Sequence, residues 1–203
     1  KRTANTMKYN KHIAYYHQHA SKLASQYTSV AFEDVHGEWL SHIPSPTHTT
    51  ILDIGAGAGR DAKALANMGN HVTAIEPASA LMQSGMAFTG ESVTWIKDTL
   101  PLLTSQKKQH YGLILISAVW MHLTHVQQQQ SLQRCSQLLF AEGHLVITLR
   151  HGEFDDKRVA NPVNVSDTIE FAKSCGLTLM HNIASSDKLH RQGVSWQTLI
   201  FTK

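Results

Sequence analysis

Apolar residues follow two different patterns along the chain. In residues 8–43 they lie three or four positions apart, which is typical of amphipathic helices, so helices are predicted at about 8–27 and 30–43. From residue 50 onward, short apolar runs alternate with helical patterns. This alternation predicts strands at about 50–55, 71–76, 92–97, 111–117, 143–150, 177–184 and 194–202, and helices at about 59–68, 78–87, 101–108 and 124–140.

Local signals mark the ends of two helices. Thr124 followed by Gln127 matches a capping box at the start of the helix near 124. Asp167 followed by Glu170 indicates a similar start for one more helix, and Gly176 is placed to end it.

The order of the predicted elements indicates the architecture. Strands that alternate with helices form a mainly parallel sheet with helices on both faces. The last two strands are joined by a short polar loop, so they must pair as an antiparallel hairpin. We therefore expect one α/β domain over residues 1–203, with the sheet in 50–203 and the helices of 8–43 as a lid.

The most informative segment is the glycine-rich turn after the first predicted strand. Gly55, Gly57 and Gly59 allow a tight turn that a ligand can approach closely. Asp53 at the strand end would repel the pyrophosphate of a dinucleotide, which disfavours a nicotinamide-dependent dehydrogenase. It suits a ligand with an amine, a positive centre and no phosphate, such as S-adenosylmethionine. Glu76, at the end of the next strand, is spaced to bind ribose hydroxyls.

Composition and charge narrow the class of protein further. The formal charge is only +3 and basic residues are scattered, which disfavours nucleic acid as a partner. The 14 histidines lack the spacing of a zinc site, so no metal is expected. The longest apolar stretches, around 113–119, are too short to cross a membrane. Cys135 and Cys175 are expected as unpaired thiols, which predicts a cytoplasmic protein. We expect a monomer or a homodimer with a small-molecule substrate.

Several motifs together resemble the class I S-adenosylmethionine-dependent methyltransferases over residues 45–203. These motifs are DIGAGAG at 53–59, AIEPA at 74–78, WIKDTLP at 95–101 and LILISAVWMHL at 113–123, together with the terminal hairpin. With its FEDVH and VITLRHG segments, the chain is similar to small stand-alone bacterial members whose substrate is unassigned. The resemblance implies a Rossmann-like, doubly wound sheet of seven strands in the order 3-2-1-4-5-7-6, with strand 7 antiparallel.

The resemblance also implies how S-adenosylmethionine binds and leaves as S-adenosylhomocysteine. Asp53 and the glycine turn would line the methionine moiety, Glu76 would take the ribose, and Asp98 would take the adenine amino group. Arg60, after the third glycine, is expected to point to solvent. The implied cofactor-binding residues are Asp53, Gly55, Ala56, Gly57, Gly59, Glu76, Pro77, Asp98, Thr99, Leu100, Ser117 and Ala118.

Residues for catalysis and substrate binding are predicted at the same edge of the sheet. His122, just past the fourth strand, is the first candidate for a general base, and packing against the following helix is its alternative role. Arg150 and His151 end the fifth strand and either bind an anionic substrate group or form surface ion pairs. Trp120 either walls the substrate pocket or fills the core. The predicted lid adds Tyr9, Tyr16 and His36 as candidates for ligand contact.

Motifs that the chain lacks narrow the chemistry within the family. Ser-Ala-Val-Trp at 117–120 differs from the Asn/Asp-Pro-Pro-aromatic motif of DNA amino methyltransferases. The chain lacks the Pro-Cys dipeptide that would indicate a cytosine-C5 enzyme. Ser117 stands where catechol-type, metal-dependent enzymes carry an acid. The resemblance thus implies metal-independent O- or N-methylation of a small molecule by in-line displacement. A wobble-uridine-type tRNA methyltransferase and a non-catalytic cofactor-binding module are the alternatives.

Overall fold

The computed structural model describes residues 11–106, 111–154, 156, 158 and 160–203. In this part of the chain the helices are α1 (described over residues 11–18), α2 Ala20–Thr28, α3 Phe32–Leu40, α4 Arg60–Asn67, α5 Ser79–Thr89, α6 His125–Leu138 and α7 Val165–Ser174. The strands are β1 Thr50–Ile54, β2 His71–Ile75, β3 Val93–Ile96, β4 Tyr111–Ser117, β5 Leu139–His151, β6 Thr178–Ser186 and β7 Ser195–Thr202. A short 3₁₀ helix, Trp120–His122, follows β4.

These strands form one sheet in the order β3-β2-β1-β4-β5-β7-β6. β1 pairs in parallel with β2 and β4, β2 with β3, and β4 with β5, whereas β7 is antiparallel to β5 and β6. The predicted strand order and the antiparallel seventh strand are therefore confirmed. The carboxyl ends of β1, β2 and β4 meet at one edge, where the order of strands reverses and where open sheets bind ligands.

Apolar packing covers both faces of the sheet. Successive residues of β1 point to opposite faces. Leu52 packs in one cluster with Leu132 of α6, and Ile51 packs in a second cluster with Trp39 of α3 and Leu65 of α4. A strand buried on both faces reads as a continuous apolar run, which is why β1 is recognisable from the sequence. This packing fixes the position of the turn between β1 and α4.

The N-terminal helices contact the rest of the domain in two ways. Tyr16 of α1 and Leu23 of α2 pack with Leu81 of α5, close to the carboxyl edge of the sheet. α3 differs, because its Phe32 and Trp39 are buried in the core cluster beside β1 and α4. α1 and α2 therefore cover the edge, while α3 belongs to the core. The role of residues 8–43 as a lid stays a prediction.

The predicted helix at 101–108 is wrong in its described part. Residues 101–106 form turns instead. The Asp98 carboxylate accepts hydrogen bonds from the amides of Thr99 and Ser105, at 2.7 and 2.8 Å. Side-chain bonds of this kind offer the backbone an alternative to a helix. The hydrogen bonds to Asp98 therefore stabilise turns in a segment whose apolar pattern predicts a helix.

The helix-end predictions are partly confirmed. The capping box is present, with the side chain of Thr124 bonded to the amide of Gln127 and the side chain of Gln127 bonded to the amide of Thr124. α7 starts before the predicted Asp167, because the side chain of Asn164 accepts a hydrogen bond from the amide of Asp167 and caps the helix. Gly176, at a φ of 80°, follows its end as predicted.

Two element boundaries differ from the predicted ones. β5 begins at Leu139 rather than at 143, and its register with β4 shifts between Tyr111 and Leu113, so the early part of the strand pairs irregularly. The predicted helix at 8–27 is divided at His19, whose φ of −106° and ψ of 17° lie outside helical geometry.

The predictions on thiols hold within the described residues. Cys135 is buried, Cys175 is half-buried, and both are free. Burial raises the pKa of the Cys135 thiol to about 12, so it stays protonated and unreactive. No helix in the described part of the chain has the length and apolar character that a membrane crossing requires.

Candidate active site

Two adjoining cavities lie at the carboxyl edge of the sheet. The first has a volume of about 160 Å³ and lies between the turn after β1 and the ends of β2 and β4. The second, of about 150 Å³, lies between α2, the end of β4 and the connection from β6 to β7. Five residues line both cavities and form a shared wall: Tyr16, Tyr27, Arg60, Ser117 and Ala118.

The turn between β1 and α4 needs glycine for steric reasons. Gly55 and Gly57 have φ angles of 74° and 56°, a region that other residues rarely adopt. A Cβ atom on Gly55 would also lie 2.3 Å from Cγ2 of Val119. The amides of Gly55 and Ala56 donate to the carbonyl of Ile75, at 2.8 and 3.0 Å, and tie the turn to the end of β2. The turn therefore presents bare backbone to the first cavity.

Glu76, directly after β2, lies in the wall of the first cavity and is 5% exposed. Its Oε2 accepts a hydrogen bond from the amide of Gly57 at 2.9 Å, and its Oε1 accepts one from Ala78 at 2.8 Å. Burial raises the pKa of Glu76 to about 7, although the two amides act in the opposite direction. Each oxygen keeps a second lone pair, so the carboxylate can still accept hydrogen bonds from hydroxyl groups in the cavity.

Asp53 lies beneath the glycine turn, is 1% exposed and lines neither cavity. Its Oδ2 has no hydrogen-bond partner among the described residues. Burial and the charge of Asp61 hold the pKa of Asp53 well above its usual range, although Arg60 opposes them. An unsatisfied buried oxygen with a perturbed pKa, one turn away from a cavity, is typical of a binding site.

Asp61 is a second carboxylate at this point, and it does line the first cavity. The indole nitrogen of Trp39 donates to Nδ1 of His36 at 2.7 Å, so Nε2 of His36 carries the proton that it donates to Asp61 at 2.9 Å. Arg60 donates to the other oxygen of Asp61 at 2.6 Å. Burial would raise the pKa of Asp61, but His36 and Arg60 lower it below its usual value. His36, a predicted ligand contact, lines neither cavity and instead positions Asp61.

The loop after β3 contributes another part of the wall. Thr99 and Leu100 line the first cavity, whereas Asp98 does not. Oδ1 of Asp98 accepts from the amide of Thr99, and its Oδ2 accepts from the amide and the hydroxyl of Ser105. The carboxylate therefore shapes this loop, and its contact with adenine stays a prediction.

The end of β4 separates the two cavities. Ala118 has a φ of 57°, an uncommon angle for a residue with a side chain. Its amide donates to Oγ1 of Thr148 on β5 at 2.9 Å, and the Thr148 hydroxyl donates to Oγ of Ser117 at 3.5 Å. Such backbone strain costs on the order of 1–3 kcal/mol and is concentrated at functional sites. The small side chains of Ser117 and Ala118 keep this part of the wall thin.

His122 and Tyr16 meet where α1 crosses the edge of the sheet. Oη of Tyr16 lies 2.9 Å from Nε2 of His122. His122 is 7% exposed and lines the first cavity but not the second. Its ring stacks on Phe154, with centroids 5.5 Å apart, and lies 4.7 Å from the ring of His12. The predicted base and one predicted ligand contact are thus brought together.

Cationic and aromatic side chains line the second cavity. Arg150 and Arg158 each place a guanidinium group 4.3 Å from the centroid of the Phe154 ring. Arg158 also forms an ion pair with Asp156 at 2.7 Å. Arg150 donates to the carbonyl of Glu153 at 3.0 Å, which holds the loop after β5 against the cavity.

Some predicted site residues lie away from both cavities. His151 is hydrogen-bonded to Gln197 at 3.1 Å, and Trp120 is fully buried in the core, which is the second of its two predicted roles. Gly59 begins α4 rather than lining a cavity, and Tyr9 is outside the described residues. The predicted cofactor residues that do line the first cavity are Gly55, Ala56, Gly57, Glu76, Pro77, Thr99, Leu100, Ser117 and Ala118.

The central part of the chain matches a known protein family. Residues 51–143, which contain the glycine turn and the end of β4, match the family model of a methyltransferase domain. Over these residues the chain is similar to methyltransferase domains. The methyl donor of the family is S-adenosylmethionine. A sequence comparison with curated proteins gave no significant match.

Solved methyltransferase structures share the fold. A TehB-like S-adenosylmethionine-dependent methyltransferase from Corynebacterium glutamicum is 23% identical, with a TM-score of 0.66 over 96% of this chain and 99% of that one. The magnesium protoporphyrin IX methyltransferase from Synechocystis PCC 6803, with bound S-adenosylmethionine, is 16% identical, with a TM-score of 0.66 over 93% and 84%. The N-methyltransferase NodS from Bradyrhizobium japonicum is 17% identical, with a TM-score of 0.67 over 84% and 95%.

Part of the cavity walls is formed by residues that the sequence did not single out. The expectation that Arg60 points to solvent is wrong, because its side chain donates to Asp61 and to the carbonyl of Tyr27 and lines both cavities. The acidic neighbour Asp61, in the first turn of α4, is the sequence feature that could have predicted this orientation of Arg60. Phe154 and Arg158 lie in a loop without periodic pattern, so no sequence signal singles them out.

Proposed function

We propose that this methyltransferase binds S-adenosylmethionine in the first cavity and methylates an oxygen or nitrogen atom of a small molecule in the second, without a metal. The observation that carries the proposal is the wall of five residues that the two cavities share. Methyl transfer by in-line displacement needs a donor and an acceptor that face each other across a short gap. The thin part of the wall at Ser117 and Ala118 suits this arrangement.

The residues of the first cavity fit the methyl donor. Glu76 has lone pairs available for the two ribose hydroxyls. Gly55 and Gly57 line this cavity with backbone that the methionine moiety would approach closely. Asp61 places a carboxylate beside that turn, and Asp53 places beneath it a carboxyl oxygen that has no hydrogen-bond partner among the described residues, which favours an amine as the bound group. Thr99 and Leu100 would flank the adenine from the loop after β3, and S-adenosylhomocysteine would be the product.

The chain contributes mainly by alignment. When bound, S-adenosylmethionine supplies an electrophilic methyl carbon and a sulfur leaving group. Holding an acceptor in line with that carbon can supply about 7–11 kcal/mol of the reduction in the barrier. The buried Met121 and the half-buried Phe154 would exclude water from the acceptor.

Two observations favour a small-molecule acceptor over a nucleic acid. The second cavity has a volume of about 150 Å³, which suits a metabolite better than a nucleic acid strand. The scattered basic residues provide no broad surface for a phosphate backbone.

Binding and transfer can be measured separately. We expect calorimetry to show binding of S-adenosylhomocysteine, and methyl-labelled S-adenosylmethionine to label a small-molecule extract rather than total tRNA. Label in tRNA would overturn the proposed acceptor class. Binding without label in either pool would indicate a non-catalytic module, and no binding would overturn the assignment of the first cavity.

A cavity-filling pair of variants tests the second cavity. Leu189 lines only the second cavity, whereas Leu102, which is 63% exposed, lines neither. Leu189→Trp should reduce labelling about 100-fold through misplacement of the acceptor, with unchanged affinity for S-adenosylhomocysteine. Leu102→Trp, the matched control, should behave as the wild type. Equal labelling by both variants would contradict an acceptor in the second cavity.

A further inference from the structure

The two cavities differ in which side chains an acceptor can reach. His122 lines only the first cavity, while Tyr16 lines both. An acceptor in the second cavity would therefore meet the Tyr16 hydroxyl and not the imidazole. Because Oη of Tyr16 lies 2.9 Å from Nε2 of His122, the hydroxyl connects the acceptor position with the predicted base.

The hydrogen bonds around Tyr16 direct its proton toward His122. Nη1 of Arg158 donates to the Tyr16 oxygen at 3.4 Å. Tyr16 keeps its own proton and a second lone pair, so it can donate to Nε2 of His122, in the tautomer protonated at Nδ1, and still receive a proton from the acceptor. Burial raises the pKa of Tyr16, while the charge and the hydrogen bond of Arg158 oppose that rise.

We infer that Tyr16 is a catalytic residue that passes a proton from the acceptor to His122, an inference that rests on the proposed function. The lone pair of the acceptor forms the bond to the methyl carbon, and the bond from that carbon to sulfur breaks with its electrons going to sulfur. The proton on the acceptor atom moves to Oη of Tyr16 as the Tyr16 proton moves to Nε2 of His122. Tyr16 is thereby restored, and His122 leaves the step as an imidazolium.

The groups around Tyr16 and His122 support proton transfer from Tyr16 to His122. Arg158 faces the Tyr16 oxygen, so its positive charge stabilises the negative charge that builds up there during the transfer. Among the described residues, the other titratable groups near Tyr16 include Tyr15, Tyr27 and Glu76, and those near His122 include His12 and Tyr16 itself. The Phe154 ring stacks on His122 and also contacts the guanidinium groups of Arg150 and Arg158.

Four variants test the relay: Tyr16→Phe, His122→Asn, the double variant, and Tyr15→Phe as the matched control. Tyr15 is the neighbouring tyrosine on α1 and lines neither cavity. The assay uses methyl-labelled S-adenosylmethionine with the labelled fraction of the small-molecule extract, and calorimetry with S-adenosylhomocysteine reports cofactor binding. Tyr16→Phe and His122→Asn should each lower kcat by about 10²–10⁴-fold with cofactor affinity retained. The double variant should be no slower than the slower single variant, because both groups serve one step.

The pH profile separates a relay from a structural role. In the wild type, kcat should rise with pH as the imidazole loses its proton, and this rise should vanish in His122→Asn and Tyr16→Phe. A Tyr16→Phe variant with a raised KM but unchanged kcat, or with the wild-type pH profile, would overturn the relay and leave the proposed function intact. If the wild type itself labels no small molecule, the proposed function fails and the relay fails with it.

Discussion

The buried carboxyl of Glu76 predicts an unusual dependence of stability on pH. Its pKa is about 7 in the folded protein, against an ordinary value of 4.5. At a pH between these values the folded protein holds a proton on Glu76 that the unfolded chain has released. The folded state therefore binds more protons, and the free energy of unfolding falls as pH rises. The contribution is complete below pH 4.5 and is lost as pH passes through about 7.

The size of the effect follows from the two pKa values. Between pH 5 and pH 8, Glu76 should remove about 2–3 kcal/mol from the free energy of unfolding of the unliganded protein. Glu76→Gln abolishes this titration. It also places the side-chain NH2 group, a donor, against one of the two backbone N–H donors. The lost hydrogen bond should lower the free energy of unfolding by about 1–3 kcal/mol at every pH. The change with pH, rather than stability at one pH, is therefore the quantity to compare.

Urea unfolding of the unliganded protein at pH 5 and at pH 8 measures this quantity. The loss of stability over that interval should be about 2–3 kcal/mol smaller in Glu76→Gln than in the wild type. Asp53 also titrates abnormally in both proteins, and the charge of Glu76 is the smallest of the three causes that raise its pKa. Glu91→Gln, at an exposed glutamate, is the matched control and should follow the wild type. Equal pH dependence in Glu76→Gln and the wild type would refute the reasoning.

Three further changes test the turn, a helix cap and the core. Gly55→Ala, whose Cβ would lie 2.3 Å from Val119, should lower binding of S-adenosylhomocysteine more than tenfold in calorimetry, and unchanged binding would argue against the turn as a ligand wall. Thr124→Ala removes a capping box and should lower the free energy of unfolding by about 1 kcal/mol, so an unchanged urea midpoint would contradict the cap. Leu65→Ala at a fully buried position should cost about 2–5 kcal/mol in the same assay, whereas Leu102→Ala at an exposed position should cost less than about 0.5 kcal/mol, and similar losses would count against this core.

Patterns in the sequence predict the sheet well because its central strands are buried on both faces. β1, β2 and β4 read as short apolar runs between polar turns, and the order of the sheet follows from the family that the motifs resemble. The predicted helix at 101–108 fails because a carboxylate at Asp98 holds the following backbone in turns. Periodicity does not report such side-chain bonds, and it also misses Asn164 as the cap of α7.

The residues of the candidate site also fall into two groups, those that the sequence predicts and those that it does not. Gly55 and Glu76 were predictable because the turn and the next strand end form a local motif whose residues act through short chain distances. The contact between Tyr16 and His122 spans 106 positions of sequence and depends on how α1 packs on α5. Arg60 bends inward for a similar reason, since it needs the carbonyl of Tyr27 from α2. Contacts that depend on the packing of distant elements leave no pattern in one sequence.

The shared wall makes the two cavities thermodynamically linked. Tyr16, Tyr27 and Arg60 cannot move in response to a ligand in one cavity without changing the shape of the other. A cofactor that shifts these side chains must therefore change the affinity for the acceptor, and the acceptor must change the affinity for the cofactor by the same factor. Calorimetric titration of S-adenosylhomocysteine with and without the acceptor would give this factor directly. Under the proposed function, a single layer of side chains sets both the path of the methyl group and the interdependence of the two binding equilibria.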